Sequence, residues 1–119
     1  MQTKSYKKYE GTEDNFQRAL AKYLNMKGVI YMHPPNGGTR NIIEATKLKN
    51  MGVKSGVPDI LIFNRRNGHA GLAIELKVKY NKPSENQLEF MKLLTGEGWL
   101  CVVSYSLDEC IDLVDSYMA

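Results

Sequence analysis

The sequence predicts a single α/β domain, and three observations predict it. Stretches whose apolar residues recur at helical spacing alternate with short apolar runs, capping residues stand at the starts of the helical stretches, and glycine or proline clusters separate the two kinds. Read in order, the elements run α-β-α-β-β-α-β-α.

Thr12 is placed to cap a first helix in which Phe16, Ala19, Leu20, Tyr23 and Leu24 fall on one face, and Gly28 ends it. Val29 to Met32 reads as a short strand, stopped by Pro34-Pro35-Asn36-Gly37-Gly38, a run that neither helix nor sheet crosses. A second helix is expected from about Arg40 to Met51, with Gly52 suited to a left-handed cap. Asp59-Ile60-Leu61-Ile62-Phe63 is an apolar strand headed by a carboxylate, Arg65 to Gly71 a hairpin loop, and Leu72 to Val78 the returning strand. Ser84 and Gln87 have capping-box spacing for a third helix with Leu88, Met91, Leu94 and Thr95 inward and Gly96 or Gly98 at its end. Trp99 to Ser104 is the last strand, and Ser106 with Glu109 repeats the capping box for a closing helix.

A chain of 119 residues has room for one hydrophobic core and not two. Its 43% apolar and 24% charged residues are those of an ordinary globular protein, which excludes disordered, collagen-like and disulfide-scaffold classes. The domain is expected over residues 11–119, behind a flexible basic arm at 1–10. All but one of the 16 Lys and Arg precede Pro83, whereas more than half of the 13 Asp and Glu follow it. A basic body with an acidic C-terminal helix suits a phosphate-backbone partner, although charged surfaces are as often merely solvated. Cys101 and Cys110 lack metal-ligand spacing and read as reduced core thiols. No stretch approaches the roughly 20 apolar residues of a membrane span, and Met1 to Glu10 has no apolar secretion core. The expectation is a soluble cytoplasmic protein without membrane contact, in host cytoplasm if viral.

Strand alternation puts Ala73, Glu75 and Lys77 on one face and Leu72, Ile74, Leu76 and Val78 on the other. If the neighbouring strand begins at Asp59, hairpin pairing brings a second carboxylate to Glu75. Two carboxylates about 4 Å apart repel by on the order of 4 kcal/mol at an effective dielectric near 20, so the pair calls for a cation. Hard oxygen ligands suit Mg²⁺ or Mn²⁺, which polarises a phosphodiester and acidifies water, while Lys77 is placed to orient the nucleophile and balance charge. The competing reading is a solvated strand face, where a Glu-x-Lys triplet discourages edge pairing.

The run Gly52-Val53-Lys54-Ser55-Gly56-Val57-Pro58-Asp59, then Glu75-Leu76-Lys77, then Pro83-Ser84 with Gln87, resembles the VRR-NUC (virus-type replication-repair nuclease) branch of the PD-(D/E)XK nucleases. The resemblance spans about Glu13 to Tyr105. It implies a restriction-endonuclease-like core, a mixed β-sheet flanked by α-helices, with a divalent metal held by Asp59, Glu75 and the backbone carbonyl of Leu76, and phosphodiester hydrolysis. Similar stand-alone viral and bacterial members imply a homodimer acting on branched DNA such as four-way (Holliday) junctions, where a twofold axis relates two cuts.

Glu13 lies only about 20° from Leu20 on a helical wheel, so it points toward the buried face and matches by position the family's first-helix glutamate, a further acid at the metal. It equally suits the positive helix N-terminus. Gln87 has two compatible roles, as capping partner of Ser84 and as a polar contact near Lys77. Asn36 and Arg40 in the His33 to Arg40 loop, together with Lys54, Ser55, Lys79 and Lys82, are candidate DNA contacts; His33 is not expected to bind metal. Two other readings stand beside the junction nuclease: a non-catalytic DNA-binding module on a nuclease fold, and a nuclease preferring flaps, nicks or linear duplex.

Overall fold

Three of the four helices among the described residues begin where side-chain oxygens replace missing intrahelical partners at positions the sequence marks. The computed structural model describes residues 5–35 and 41–119. Its elements are α1 (Glu13–Lys27), β1 (Tyr31–Met32), α2 (Ile42–Asn50), β2 (Ile60–Ile62), β3 (Leu72–Leu76), α3 (Glu85–Gly96), β4 (Leu100–Ser104) and α4 (Leu107–Met118), in the expected order. Thr12 accepts from Asn15 N–H to open α1, and Gly28, at φ +76°, closes it with its N–H on Leu24. Ser84 and Gln87 form a complete capping box at α3.

At α4 the box is half formed. Ser106 accepts from Glu109 N–H, but the Glu109 carboxylate takes the Ser104 hydroxyl instead of the Ser106 backbone. Ser104 is fully buried and needs a partner, and its own oxygen accepts the Ser106 N–H at 3.2 Å. Asn41 caps α2, which is shorter than expected; the Arg40 start lies outside the described residues. The strands are also shorter than their apolar runs, β1 by two residues at its start.

The four strands form one mixed sheet in the order β1-β2-β3-β4, with β1/β2 and β2/β3 antiparallel and β3/β4 parallel across α3. The β2–β3 turn closes through Arg66 and His69, with Asn67 at φ +53° and Gly68 at φ +78°. Two successive left-handed residues give the turn a twist matching that of the strands. At the root of β3 the Trp99 ring lies against the Gly71 backbone so closely that a Cβ there would stand 2.5 Å from it. Phe63 meets the same indole edge-on at 5.9 Å.

One face of the sheet makes the core: Ile60, Ile62, Leu72, Ile74 and Leu76 pack with Phe16, Leu20 and Leu24 of α1 and with Cys110, Val114 and Tyr117 of α4. Both cysteines are free thiols, and burial pushes Cys110 up to about 11. Lys27 of α1 pairs with Asp115 of α4 at 3.1 Å, and Tyr23 hydrogen-bonds the same carboxylate. The N-terminal segment touches this body: Tyr9 stacks on Phe16 at 4.7 Å and donates its N–H to Tyr105, and Tyr6 donates to Asp112.

The opposite side differs from expectation. Leu88, expected inward, is 53% exposed, and Met91 is the buried residue of α3. The reason is geometric: α3 packs on the edge strand β4, through Met91 O and the Cys101 thiol, and has no second layer over its remaining apolar side. No residue of α2 is buried, and it faces α3 across a groove lined by Ala45, Leu48, Phe90 and Leu93. No helix among the described residues is long and apolar enough to cross a membrane.

Gly56 lies between α2 and Asp59, which immediately precedes β2. It sits at φ +81°, and a Cβ there would lie 2.6 Å from the Asn86 backbone at the start of α3. Gly56→Ala combines a left-handed strain with a backbone clash and is expected to destabilise the chain by about 1–3 kcal/mol, measured by urea denaturation. Unchanged stability would mean that the loop does not need this close approach.

Candidate metal centre

The β2/β3 register pairs Leu61 with Ala73 and Ile60 with Ile74, so the next step places Asp59 opposite Glu75. The Asp59 carboxylate is aimed by a main-chain donor, the Leu76 N–H at 2.8 Å from Oδ2. Its backbone is held from the other side, where His33 Nδ1 lies 2.6 Å from the Asp59 carbonyl. Glu13 arrives from a different layer, as the first residue of α1 after the Thr12 cap. The three carboxylates of Glu13, Asp59 and Glu75 each offer an oxygen within 4.8 Å of the others.

Burial decides between the two readings of Glu75 and Lys77. Glu75 is 1% and Lys77 7% exposed, so the pair is not a solvated strand face. The Lys77 ammonium stands 3.1 Å from Glu75 Oε2. It supplies charge without a well-aligned hydrogen bond, and both Glu75 oxygens are left buried without a hydrogen-bond partner among the described residues. Each ionised carboxylate pair at that spacing repels by about 3–4 kcal/mol at an effective dielectric near 20, and one ammonium cannot neutralise three acids. Burial first, and the Asp59 charge second, push the Glu75 carboxyl up to about 7 against the pull of Lys77. Burial also raises Glu13, with Lys77 opposing and Asp59 and Asp14 adding to the rise. Three hard oxygen donors, one of them on a buried carboxylate that lacks hydrogen-bond partners among the described residues, fit a divalent cation, which would supply the missing positive charge.

The other expected site residues are distributed unevenly. Leu76 lies between Glu75 and Lys77 with its N–H committed to Asp59. Gln87 spends its side-chain oxygen on Ser84 N–H at 2.8 Å, so its capping role is realised. Ser55 accepts from Asn86 at 3.2 Å, and with Lys54 it lines the α2–α3 groove, which none of the three acids lines. Lys79 and Lys82 are exposed on the loop that follows β3. Asn36 and Arg40 lie outside the described residues. His33, not expected to bind metal, braces the Asp59 backbone instead, a contact that spans 26 residues and leaves no local signal.

A mixed sheet with flanking helices and an acid-lysine centre at the ends of two paired strands is the arrangement of a nuclease-type domain. A family model of the VRR-NUC domain matches residues 7–107, and the chain belongs to that family. A solved VRR-NUC domain protein is 28% identical, with a TM-score of 0.77 over 92% of this chain and 90% of its own. Another VRR-NUC domain, 20% identical, has a TM-score of 0.58 over 88% of this chain and 96% of its own, a likeness of fold. Comparison with curated proteins gives no match.

Because the folded carboxyl of Glu75 is raised above its ordinary value of 4.5, the folded chain holds a proton that the unfolded chain gives up. The metal-free chain should therefore lose stability as pH rises from about 4.5 to about 7, by on the order of 1–3 kcal/mol, and level off above that. Glu75→Gln is expected to flatten this slope and to raise the melting temperature at pH 8. A melting curve of the variant as pH-dependent as that of the parent would show that Glu75 is not the strained acid.

Proposed function

We propose that this chain is a metal-dependent DNA endonuclease that hydrolyses phosphodiester bonds. The observation that carries the reading is the convergence of Glu13, Asp59 and Glu75 within 4.8 Å beside Lys77, with Glu75 buried and lacking hydrogen-bond partners among the described residues. Mg²⁺ or Mn²⁺ is the cation the donor set suits, and the three carboxylates and the Leu76 carbonyl would hold it. When bound, it supplies Lewis-acid stabilisation of the phosphate and a more acidic water.

The protein's own groups do the rest. Asp59 is held by the Leu76 N–H on its side chain and His33 on its backbone, so it keeps its position as charge changes. Lys77 presents an ammonium at the same centre, able to orient the attacking water and to balance the extra negative charge of the pentacovalent phosphorus. Glu13, partly exposed and with a raised carboxyl pKa, is suited to take the proton that this water gives up. Lys54, Ser55, Lys79 and Lys82, with Asn36 and Arg40, contact the DNA backbone, and Gln87 holds the start of α3 near them.

The substrate we infer is branched DNA, the four-way junction above all, cut by a homodimer. Large apolar side chains stand open on α2, just after it and on α3, with Ile42 and Ile43 each 83%, Met51 71% and Leu93 61% exposed. A second copy would cover them and place two centres about a twofold axis. Light scattering should give a dimer mass, and Ile43→Glu should shift it to the monomer; a monomeric parent chain would end this part of the reading.

Purified protein with Mg²⁺ or Mn²⁺ should cut a four-way junction faster than flaps, nicks or linear duplex. Glu75→Ala and Asp59→Asn should each lower cutting by about a hundredfold or more while DNA binding persists. Cutting that survives both substitutions would overturn the assignment, and binding without any cutting by the parent chain would make the protein a DNA-binding module instead.

A further inference from the structure

Tyr80 is the most exposed large hydrophobic side chain among the described residues, at 91%, and it stands three residues beyond Lys77. Isolated exposed apolar groups are ordinary, but this one is held out by its surroundings. Lys79, just before it, takes φ +55°, a left-handed conformation that is unfavourable for a residue with a Cβ. Just after it, Asn81 is pinned twice: its N–H donates to Val78 at 3.1 Å, and its carbonyl accepts the Tyr105 hydroxyl at 2.6 Å. The segment is a fixed turn.

Charge gathers round the ring. The Lys8 ammonium lies 5.5 Å from the centre of the Tyr80 ring and 5.7 Å from that of Tyr105, within cation–π range of both. Lys79 and Lys82 are exposed on either side, and no acidic residue occurs from Leu76 to Ser84. An aromatic face open to water and flanked by ammonium groups is the chemistry that takes a nucleobase on the ring and its phosphates on the lysines.

We propose that Tyr80 is a stacking platform for an unpaired nucleobase next to the bond being cut. This rests on the reading of the acidic centre as a DNA-cutting site, since it is the nearness of Lys77 that gives the ring a DNA strand to meet. Three residues hold the Cα atoms of Lys77 and Tyr80 at most about 11 Å apart, so the platform and the acidic centre share one end of β3. A fully paired duplex keeps its bases stacked on one another and has none to offer the ring. A flap carries such bases outright, and the pairs at a branch point or a nick fray more readily than those inside a duplex, so the platform favours these substrates over continuous duplex.

The test separates stacking from cutting. The full chain is mixed, in EDTA, with DNA that carries 2-aminopurine at an unpaired position beside a branch, and with a fully paired duplex of the same sequence. The parent chain and Tyr80→Phe should quench the 2-aminopurine emission. Tyr80→Ala and Tyr80→Leu should not, and should bind the branched DNA about 5- to 150-fold more weakly while holding the paired duplex as before. Near-complete exposure of the ring means that these variants should melt like the parent. Equal quenching by Tyr80→Leu and the parent, equal branched-to-paired binding ratios in Tyr80→Ala and the parent, or no quenching by the parent would each overturn the proposal. The readout needs no cleavage, so an inactive chain that still quenches supports the platform while the endonuclease reading fails on its own test.

Discussion

The structure turns on a carboxylate carried into the interior by β3, an inner strand of the sheet. Glu75 is buried without a hydrogen-bond donor that meets it squarely, between two other acids and one amine. An ordinary core would exclude such a group, because charge taken out of water demands compensation that hydrocarbon does not give. The neighbouring elements hold it there. The left-handed pair Asn67 and Gly68 sets the hairpin register, the Trp99 ring on Gly71 fixes the root of β3, and the Leu76 amide turns Asp59 toward the same point. The continuous apolar face of β2 and β3 against α1 and α4 is what makes this unfavourable placement tolerable.

The molecule is accordingly two-sided. On one side α1 and α4 lock together through packing and through the Asp115 contacts with Tyr23 and Lys27. On the other, α3 covers part of an edge strand and α2 buries nothing, so the apolar surface there is left without cover from the described residues of this chain. Rigid support stands behind the acids and open surface beside them.

Much of this was legible in the sequence where the signal is local. Thr12, Ser84 and Gly28 mark helix ends by chemistry confined to a few residues, and the structure uses each of them as expected. The pairing of Asp59 with Glu75 could be read because a short hairpin fixes register, and Glu13 because helical phase places it beside Leu20. What could not be read depends on layers that meet from afar. Leu88 has a helical phase suited to burial, but whether a layer covers it is decided by where α3 lies on the sheet. Glu109 has the spacing of a capping box, yet a buried hydroxyl from the preceding strand draws it away. The His33 brace and the meeting of Lys8 with Tyr80 join residues distant in sequence and carry no periodicity. The depth of Glu75 was equally hidden, since a Glu-x-Lys triplet looks the same on a wet strand and on a buried one.

The chain's one tryptophan is the ring that lies on Gly71 and meets Phe63. An indole so placed, half-buried at the base of the strand that bears the acids, is a built-in lamp whose colour shifts further to the red when the hairpin lifts from β4 and more water reaches it. Fraying at the far ends of α2 or α4 leaves that light unchanged. The loss of order that matters to the acidic centre is thereby separated, optically and without any label, from losses elsewhere in the molecule.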